Sequence, residues 1–288
     1  MADATTSMPP ALERGAETSR PFVLVTGASE GIGLAIARLY AARGNNVLMI
    51  ARSAVALARA LDALQALGKG DIRALAVDLT DATAIGQIDG ALAEFNGHIA
   101  VLVNNAGLGL CGPFTDATSA EIEGLIQLNV TVPLKLMRHV LVDMQTRGTG
   151  GIINIASVAG YVPGPYQAAY YASKAALVSA SRAIGAEVRQ HGVRVTVVSP
   201  GPVETRFHGK MHAEMALYRR LLPAATAEGV ARRAVLGHEL GLQLVLPNFV
   251  SVMGYICCRV IPDAVLVPIM AWLLHPRDRT ETGVGEDV

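Results

Sequence analysis

The sequence has little cysteine and no excess of charge. Its three cysteines form no C-x-x-C pair and show no zinc spacing, which indicates a reducing, cytoplasmic compartment: Cys111, Cys257 and Cys258. The 24 basic residues balance 24 acidic residues, and no basic block suggests a nucleic-acid partner. The histidines also lack the spacing of metal ligands, so we expect no metal site.

Two kinds of segment are missing from the sequence. Residues 1–20 contain no apolar core of a secretory signal, and their content of Ala, Thr, Ser, Pro and Glu predicts a disordered tail. No linker-like stretch interrupts the middle of the chain. We therefore expect a single domain over residues 21–240, followed by an apolar helical extension over residues 241–288.

Short apolar runs alternate with helix-length segments in this domain. The runs are rich in Val, Ile and Leu without alternation, which indicates strands that are buried on both faces. Strands that alternate with helices predict an α/β fold with a doubly wound parallel sheet. The predicted strands are residues 22–25, 46–50, 72–77, 99–103, 151–155 and 193–198.

A glycine-rich turn separates the first predicted strand from a helix that begins at Gly33. Gly27, Gly31 and Gly33 follow the spacing G-x-x-x-G-x-G, and Ser29 and Ile32 lie between them. Glycine permits a tight turn and a close approach to a pyrophosphate, and the N-terminus of a helix favours that anion. The turn therefore predicts a dinucleotide-binding loop.

The residue that follows the second strand bears on the choice of cofactor. An acidic residue there would bind the adenosine ribose, whereas an arginine can pair with a 2′-phosphate. Arg52 stands at this position and no acid precedes it, so NADP is favoured over NAD. Glu30 points the other way, because it places a carboxylate within the loop.

Ser157, Tyr170 and Lys174 form the predicted catalytic group. Tyr170 and Lys174 are four residues apart on a predicted helix and share a face, whereas Tyr171 points elsewhere. A nearby ammonium should lower the pKa of a phenol from about 10, which improves acid–base exchange at neutral pH. Ser157 can orient a substrate oxygen. The group predicts protonation of the oxygen of a carbonyl that accepts a hydride.

Asn129 lies in a helix that begins with a predicted capping box at Thr118 and Glu121. Pro133 has no N–H, so we expect a kink and a free carbonyl at residue 129. We hypothesise that this carbonyl holds a water that links Lys174 to solvent. A tolerated kink with no role is the alternative.

These motifs resemble those of the classical short-chain dehydrogenase/reductase family over residues 21–205. Thr26 to Gly33 resembles the family's glycine-rich loop, and residues 104–107 resemble its N-N-A-G stretch. The resemblance implies a Rossmann-type fold. It also implies that Tyr170 exchanges a proton, Ser157 fixes the carbonyl, Lys174 binds the nicotinamide ribose and Asn129 supports a relay water.

The resemblance also implies further cofactor contacts. Asp78 matches the acidic residue that contacts the adenine amine, and residues 200–205 resemble the segment that holds the nicotinamide carboxamide through Val203 and Thr205. The positions added in this way are Asp78, Leu79, Asn105, Ala106, Gly107, Pro200, Gly201, Val203 and Thr205.

The C-terminal part departs from the family pattern. We identify no seventh strand in it. Residues 202–225 are expected to form a mobile lid over the substrate, and the apolar members of this segment indicate a hydrophobic substrate.

Residues 240–258 contain no charged residue. Polar residues and prolines interrupt the run, so a membrane span is disfavoured. An amphipathic helix is predicted by the stripe Phe249, Val252, Met253, Ile256 and Val260. We expect the helices of the extension to pack on the domain or at an interface, and contact of residues 240–274 with a membrane surface is the alternative.

Together these observations predict an NADP(H)-dependent oxidoreductase that interconverts a carbonyl and a secondary alcohol on a hydrophobic substrate and forms a homo-oligomer. The same chemistry with NAD is one alternative. A cofactor-sensing protein without turnover is another, although a pure sensor has no need of Tyr170 and Lys174.

Overall fold

A computed structural model of the protein describes residues 19–67, 69–205 and 223–275. The segment 206–222 of the expected lid, residues 276–288 and all but two residues of the expected N-terminal tail lie outside the described part.

Seven parallel strands form one sheet in the order β3-β2-β1-β4-β5-β6-β7. This order is that of a doubly wound Rossmann-type sheet, with the topological switch point between β1 and β4. The predicted fold class is therefore confirmed. The strands are β1 (Arg20–Thr26), β2 (Asn46–Ala51), β3 (Ile72–Ala76), β4 (Gly97–Asn104), β5 (Gly150–Ile155), β6 (Val193–Val198) and β7 (Leu244–Val245).

The seventh strand corrects the sequence-based prediction that none is present. Leu244 and Val245 pair with Val197 and Val198 at the edge of the sheet. A strand of two residues inside a longer uncharged apolar run carries no alternation and no flanking signal of its own. Its pairing depends on the neighbouring β6, which no local pattern reveals.

Helices cover both faces of this sheet. The described residues form nine α-helices: α1 (Gly31–Ala42), α2 (Ala54–Gln65), α3 (Ala84–Glu94), α4 (Ser119–Ile126), α5 (Val132–Arg147), α6 (Ala168–Val188), α7 (Ala227–Glu239), α8 (Phe249–Val260) and α9 (Asp263–Leu274). The helix after the glycine-rich turn begins at Gly31, two residues earlier than predicted.

Alternate side chains of β1 point to opposite faces of the sheet, and both sets are buried. Val23 and Val25 belong to the apolar core that includes α1, α2 and α7. Phe22 and Leu24 belong to the core on the other face, with α3, α5 and α6. The strands are therefore covered on both sides, as their continuous apolar composition predicts.

The C-terminal extension forms two short helices, α8 and α9. Its predicted apolar stripe is solvent-exposed, from 36% at Val252 to 76% at Phe249, whereas Ser251 on another face of α8 is fully buried. Pro262 separates the two helices, as expected from the sequence. Neither these helices nor any other helix in the described ranges has the length and apolarity needed to cross a membrane.

Candidate active site

One cavity of about 1110 Å³ brings the predicted motifs together. We call the part formed by Gly27, Arg52 and their neighbours the glycine-loop wall. We call the part formed by Val158, Val162 and the inner faces of α8 and α9 the apolar wall. Ser157, Tyr170 and Lys174 line the same cavity. The volume exceeds that of many single small-molecule pockets, so it can hold two ligands side by side.

The glycine-loop wall is shaped by backbone that side chains cannot replace. Gly27 has a φ of 65° and Gly31 a φ of 58°, in the left-handed region that favours glycine. A Cβ on Gly33 would overlap the Asn105 side chain and the carbonyl of Gly27. Glu30, the N-cap residue of α1, makes no side-chain hydrogen bond to the first turn. The backbone N–H groups at this helix start suit a pyrophosphate.

Hydrogen bonds fix this loop to the end of β4. The Thr26 hydroxyl accepts bonds from the backbone N–H groups of Asn105 and Ala106, at 2.9 and 3.0 Å. The Asn105 amide donates to the carbonyls of Thr26 and Gly27, at 2.9 and 3.2 Å. The N-N-A-G stretch therefore supports the glycine loop from behind and lines the cavity beside it.

Arg52 lies at the rim of the cavity beside Asp78. Its guanidinium is 3.9 Å from the Asp78 carboxylate, and its side chain is 64% exposed. Hydrogen bonds from Thr80, more than the charge of Arg52, lower the pKa of Asp78. Because the pair is long and exposed, the guanidinium remains available to bind a phosphate.

Ser157, Tyr170 and Lys174 converge at the carboxyl end of β5. The Tyr170 hydroxyl is hydrogen-bonded to the Ser157 side chain. The Lys174 ammonium donates to the carbonyl of Ile155 at 3.1 Å and lies 5.7 Å from the centre of the Tyr170 ring. Tyr171, which was expected to point away from Lys174, also lines the cavity.

Burial controls the ionisation of Tyr170 and Lys174. Burial raises the pKa of Tyr170 to about 12, although the bond with Ser157 opposes the shift. Burial likewise lowers the pKa of Lys174 to about 8. The expected fall in the Tyr170 pKa is therefore not observed, because desolvation outweighs the hydrogen bond with Ser157. Tyr170 is held as a neutral phenol, which is the form that donates a proton.

Asn129 lies in a π-helical turn, Gln127–Thr131, immediately before α5. This irregular turn is the expected distortion ahead of Pro133. The Asn129 side chain accepts from the N–H of Leu108 and donates to its carbonyl, both at 2.8 Å, and it donates to Ser173 at 3.0 Å. It thereby joins the N-N-A-G region to the catalytic helix α6.

Most of the predicted site residues line the cavity. They are Gly27, Ser29, Gly31, Ile32, Arg52, Leu79, Asn105, Ala106, Gly107, Ser157, Tyr170, Lys174, Pro200, Gly201, Val203 and Thr205. Gly33 and Asn129 stand behind this lining and contact it through packing or hydrogen bonds, and Asp78 lies beside Arg52 at the rim.

The sequence analysis did not identify the apolar wall. On α8 and α9 and their connection, this wall includes Phe249, Met253, Gly254, Cys257, Cys258, Ile261, Leu266, Ile269, Met270, Leu273 and Leu274. The available signal was the small or apolar character of the wall's residues, two of which, Phe249 and Met253, belong to the predicted stripe. It was ambiguous because either face of so apolar a helix can be the inner one.

Comparison with known proteins agrees with this geometry. The sequence profile of the short chain dehydrogenases matches residues 21–216. The chain belongs to the short-chain dehydrogenase family. It is accordingly an oxidoreductase, with the glycine loop and the Ser157, Tyr170 and Lys174 group inside the matched region.

Individual members of the short-chain dehydrogenase family differ in their reported substrates. The ketoacyl reductase HetN of Nostoc is 36% identical over 181 residues, which is 63% of each protein's length. Galactitol 2-dehydrogenase of Agrobacterium fabrum is 33% identical over 74% of this chain and 82% of its own. The structure of a short-chain dehydrogenase from Sphingobium yanoikuyae in complex with NADPH is 28% identical and has a TM-score of 0.75, covering 90% of this chain and 98% of its own.

Proposed function

We propose that this protein is an NADP(H)-dependent oxidoreductase that interconverts a carbonyl and a secondary alcohol on a hydrophobic substrate. The observation that carries the proposal is the single cavity in which a glycine-rich phosphate cradle, a buried Tyr170 and an apolar wall meet. The glycine-loop wall suits the cofactor and the apolar wall suits the substrate. The proposed proton donor, Tyr170, lines the space between them.

In the proposed reaction Tyr170 donates its hydroxyl proton to the substrate oxygen. The phenol is protonated at neutral pH, which is the form that proton donation in carbonyl reduction requires. Ser157, already bonded to Tyr170, would hydrogen-bond the same oxygen and orient it. A bound nicotinamide supplies the hydride in this direction and accepts it in the reverse direction. Lys174 would bind the ribose and hold positive charge beside Tyr170.

NADP is proposed as the preferred cofactor because of Arg52. Its exposed guanidinium follows β2 at the rim of the glycine-loop wall, and the opposing carboxylate of Asp78 is 3.9 Å away. A 2′-phosphate would meet this cation, and the Sphingobium relative binds NADPH. With NAD, Arg52 would face a neutral ribose and contribute less to binding affinity.

A hydrophobic substrate is proposed because of the apolar wall. Among the described residues, this wall presents aliphatic, aromatic and thiol side chains to the cavity and no charged one. A charged or polyhydroxylated substrate would lose hydration there without gaining hydrogen-bonding partners. The wall therefore favours a lipid-, steroid- or acyl-like carbonyl compound.

The proposal is tested by measuring oxidation of NADPH and of NADH with a panel of ketones of increasing apolar size. We expect NADPH to be oxidised more efficiently, with kcat/KM rising as apolar groups are added. The Tyr170→Phe protein should bind NADPH but turn over far more slowly. Tight binding of NADPH by the wild type without turnover of any ketone would contradict the proposed activity and favour a cofactor sensor.

We further propose that the outer face of α8 and α9 contacts a membrane surface. Phe249, Val260 and Trp272 are 76, 74 and 59% exposed on this face. Phe249 also lines the cavity, so an apolar substrate could enter from the lipid side. Exposed apolar residues with aromatic members are typical of interfacial helices.

Vesicle flotation tests this membrane contact. Wild type should float with phosphatidylcholine vesicles, and the Phe249→Ser, Val260→Ser double variant should not. If the wild type instead fails to float and forms a dimer that the double variant does not form, this face binds a second copy of the protein. A cytoplasmic location and assembly into a homo-oligomer stay predictions from the sequence.

A further inference from the structure

Helix α8 forms part of the apolar wall, and its first turn is fixed to the backbone of the predicted cofactor segment. The N–H of Gly201 donates to the Ser251 hydroxyl at 2.9 Å. Ser251 in turn donates to the Asn248 carboxamide oxygen at 2.5 Å, and this oxygen also caps the helix through the N–H of Ser251. Because Ser251 is fully buried, water does not compete for these bonds.

The second turn of α8 is fixed on the same side. The ring of Tyr255 packs edge-on against Tyr161, with centroids 4.8 Å apart. The Tyr161 hydroxyl is hydrogen-bonded to Ser199 at 3.0 Å. Ser251 and Tyr255 are four residues apart, so two successive turns are attached to the segments around Ser157 and Pro200. The helix therefore has little freedom to move away from the cavity.

Gly254 lies between these two attachments and lines the cavity. A Cβ built on it would be 3.9 Å from Val158, which directly follows Ser157 in the chain. This distance is an ordinary van der Waals contact, so alanine would fit without displacing a neighbour. Packing of the helix does not require glycine here.

Glycine inside a helix nevertheless weakens it relative to alanine. At Gly254 the feature that a longer side chain would alter is the space beside Val158 and Ser157. A leucine there would extend into that space, because the attached helix cannot retreat.

We propose that Gly254 determines substrate size by keeping the apolar wall open beside Ser157. Substrates with a bulky apolar group next to the reacting carbonyl occupy this space. A larger residue at position 254 excludes them and admits small ketones. The proposal deepens the proposed function and rests on it for the reaction that is measured.

The test compares cyclohexanone with 2-cyclohexylcyclohexanone, which adds one apolar ring next to the carbonyl. Wild type should have the higher kcat/KM for the larger ketone. In a Gly254→Ala, Gly254→Val and Gly254→Leu series, the ratio of kcat/KM values should fall in steps, by on the order of 100-fold for leucine. Gly86→Leu is the matched control, since Gly86 is an exposed glycine in α3 with nothing within 4 Å of its added Cβ.

A ratio that stays constant through the Gly254 series would overturn the proposal, and so would a wild type that reduces only cyclohexanone. Failure of the proposed function has a different signature, because wild type would then oxidise NADPH with neither ketone. Calorimetric binding of the larger ketone, with NADP present, then tests the space without turnover. Equal affinity of wild type and Gly254→Leu would reject a role for Gly254, and unchanged binding of NADPH checks that each variant is folded.

Discussion

The glycine-loop wall and the apolar wall enclose the same cavity, but they differ in how tightly they are built. At the glycine-loop wall, a Cβ on Gly33 would overlap two neighbours, and Thr26 and Asn105 close a network of backbone hydrogen bonds. At the apolar wall, a Cβ on Gly254 meets only Val158, at an ordinary distance. The first wall can accept one shape of ligand, whereas the second can be altered without disturbing the fold.

The Ser157, Tyr170 and Lys174 group lies where the two walls meet. Removal of its proposed proton donor, Tyr170, should have the largest effect. Tyr170→Phe removes the proton donor and should lower kcat by on the order of 1000-fold, while NADPH binding changes little. Steady-state kinetics and fluorescence titration measure the two quantities. The matched control is Tyr166→Phe, which lies four residues earlier and outside the cavity. Equal losses in both variants would argue against a special role for Tyr170.

The difference in packing predicts opposite results for two glycine-to-alanine changes. Gly33→Ala should lower the free energy of unfolding by about 1–3 kcal/mol and weaken NADPH binding, because its methyl group has no space. Gly254→Ala should leave stability unchanged or raise it by up to about 1 kcal/mol. Chemical denaturation with and without NADPH measures both. A harmless Gly33→Ala would remove the contrast between the walls.

Arg52 tests whether the glycine-loop wall also selects the cofactor. Arg52→Gln should raise the Kd of NADPH by about 30-fold, because a charged hydrogen-bond donor to phosphate is lost. The Kd of NADH should change by less than about threefold, since it lacks the phosphate. Binding titrations of both cofactors to one preparation decide the matter. A parallel loss for NADPH and NADH would place Arg52 in a structural role.

His238 provides the smallest predicted effect, at the edge of the sheet next to the extension. It is buried against Gly151 and hydrogen-bonded to Thr196 at 3.0 Å, and burial lowers its pKa to about 4. The unfolded chain binds the proton more readily, near the ordinary histidine pKa of about 6.5. Stability is therefore intact above that pH and is lost as the pH falls from about 6.5 towards 4.

The loss at His238 should be under about 1 kcal/mol between pH 7 and pH 6. The His238→Gln variant should lack this part of the pH dependence. Urea denaturation at a series of pH values measures it. If the free energy of unfolding depends on pH in the same way in the two proteins, the acid sensitivity arises from other groups.

The sequence predicts the glycine-loop wall well because local patterns specify it. The turn around Gly27, the position of Arg52 and the Tyr170–Lys174 pair each follow from spacing within a single strand–turn–helix unit or helix. The six long strands follow from continuous apolar runs. These features require no knowledge of which distant segments meet.

The apolar wall and β7 depend on such long-range contacts. Val245 becomes a strand residue because Val198 is next to it, and Ser251 is buried because Gly201 donates to its hydroxyl. The prediction for the pKa of Tyr170 was wrong for the same reason. It considered only the neighbouring Lys174, whereas the pKa depends mainly on burial, which residues from distant parts of the chain produce. The predicted stripe of α8 is largely exposed, yet two of its members, Phe249 and Met253, line the cavity together with small residues, which hydrophobicity alone does not indicate.

The central claim is that a hydride passes across this cavity to a carbonyl carbon while Tyr170 supplies the proton. It is tested most directly with NADPH that carries deuterium at both transferable positions of the nicotinamide ring and with 2-cyclohexylcyclohexanone. Mass spectrometry of the alcohol should find one deuterium on the carbinol carbon with wild type and almost no product with Tyr170→Phe. Alcohol that contains no deuterium, or bound NADPH that yields no alcohol from any ketone, would contradict the account.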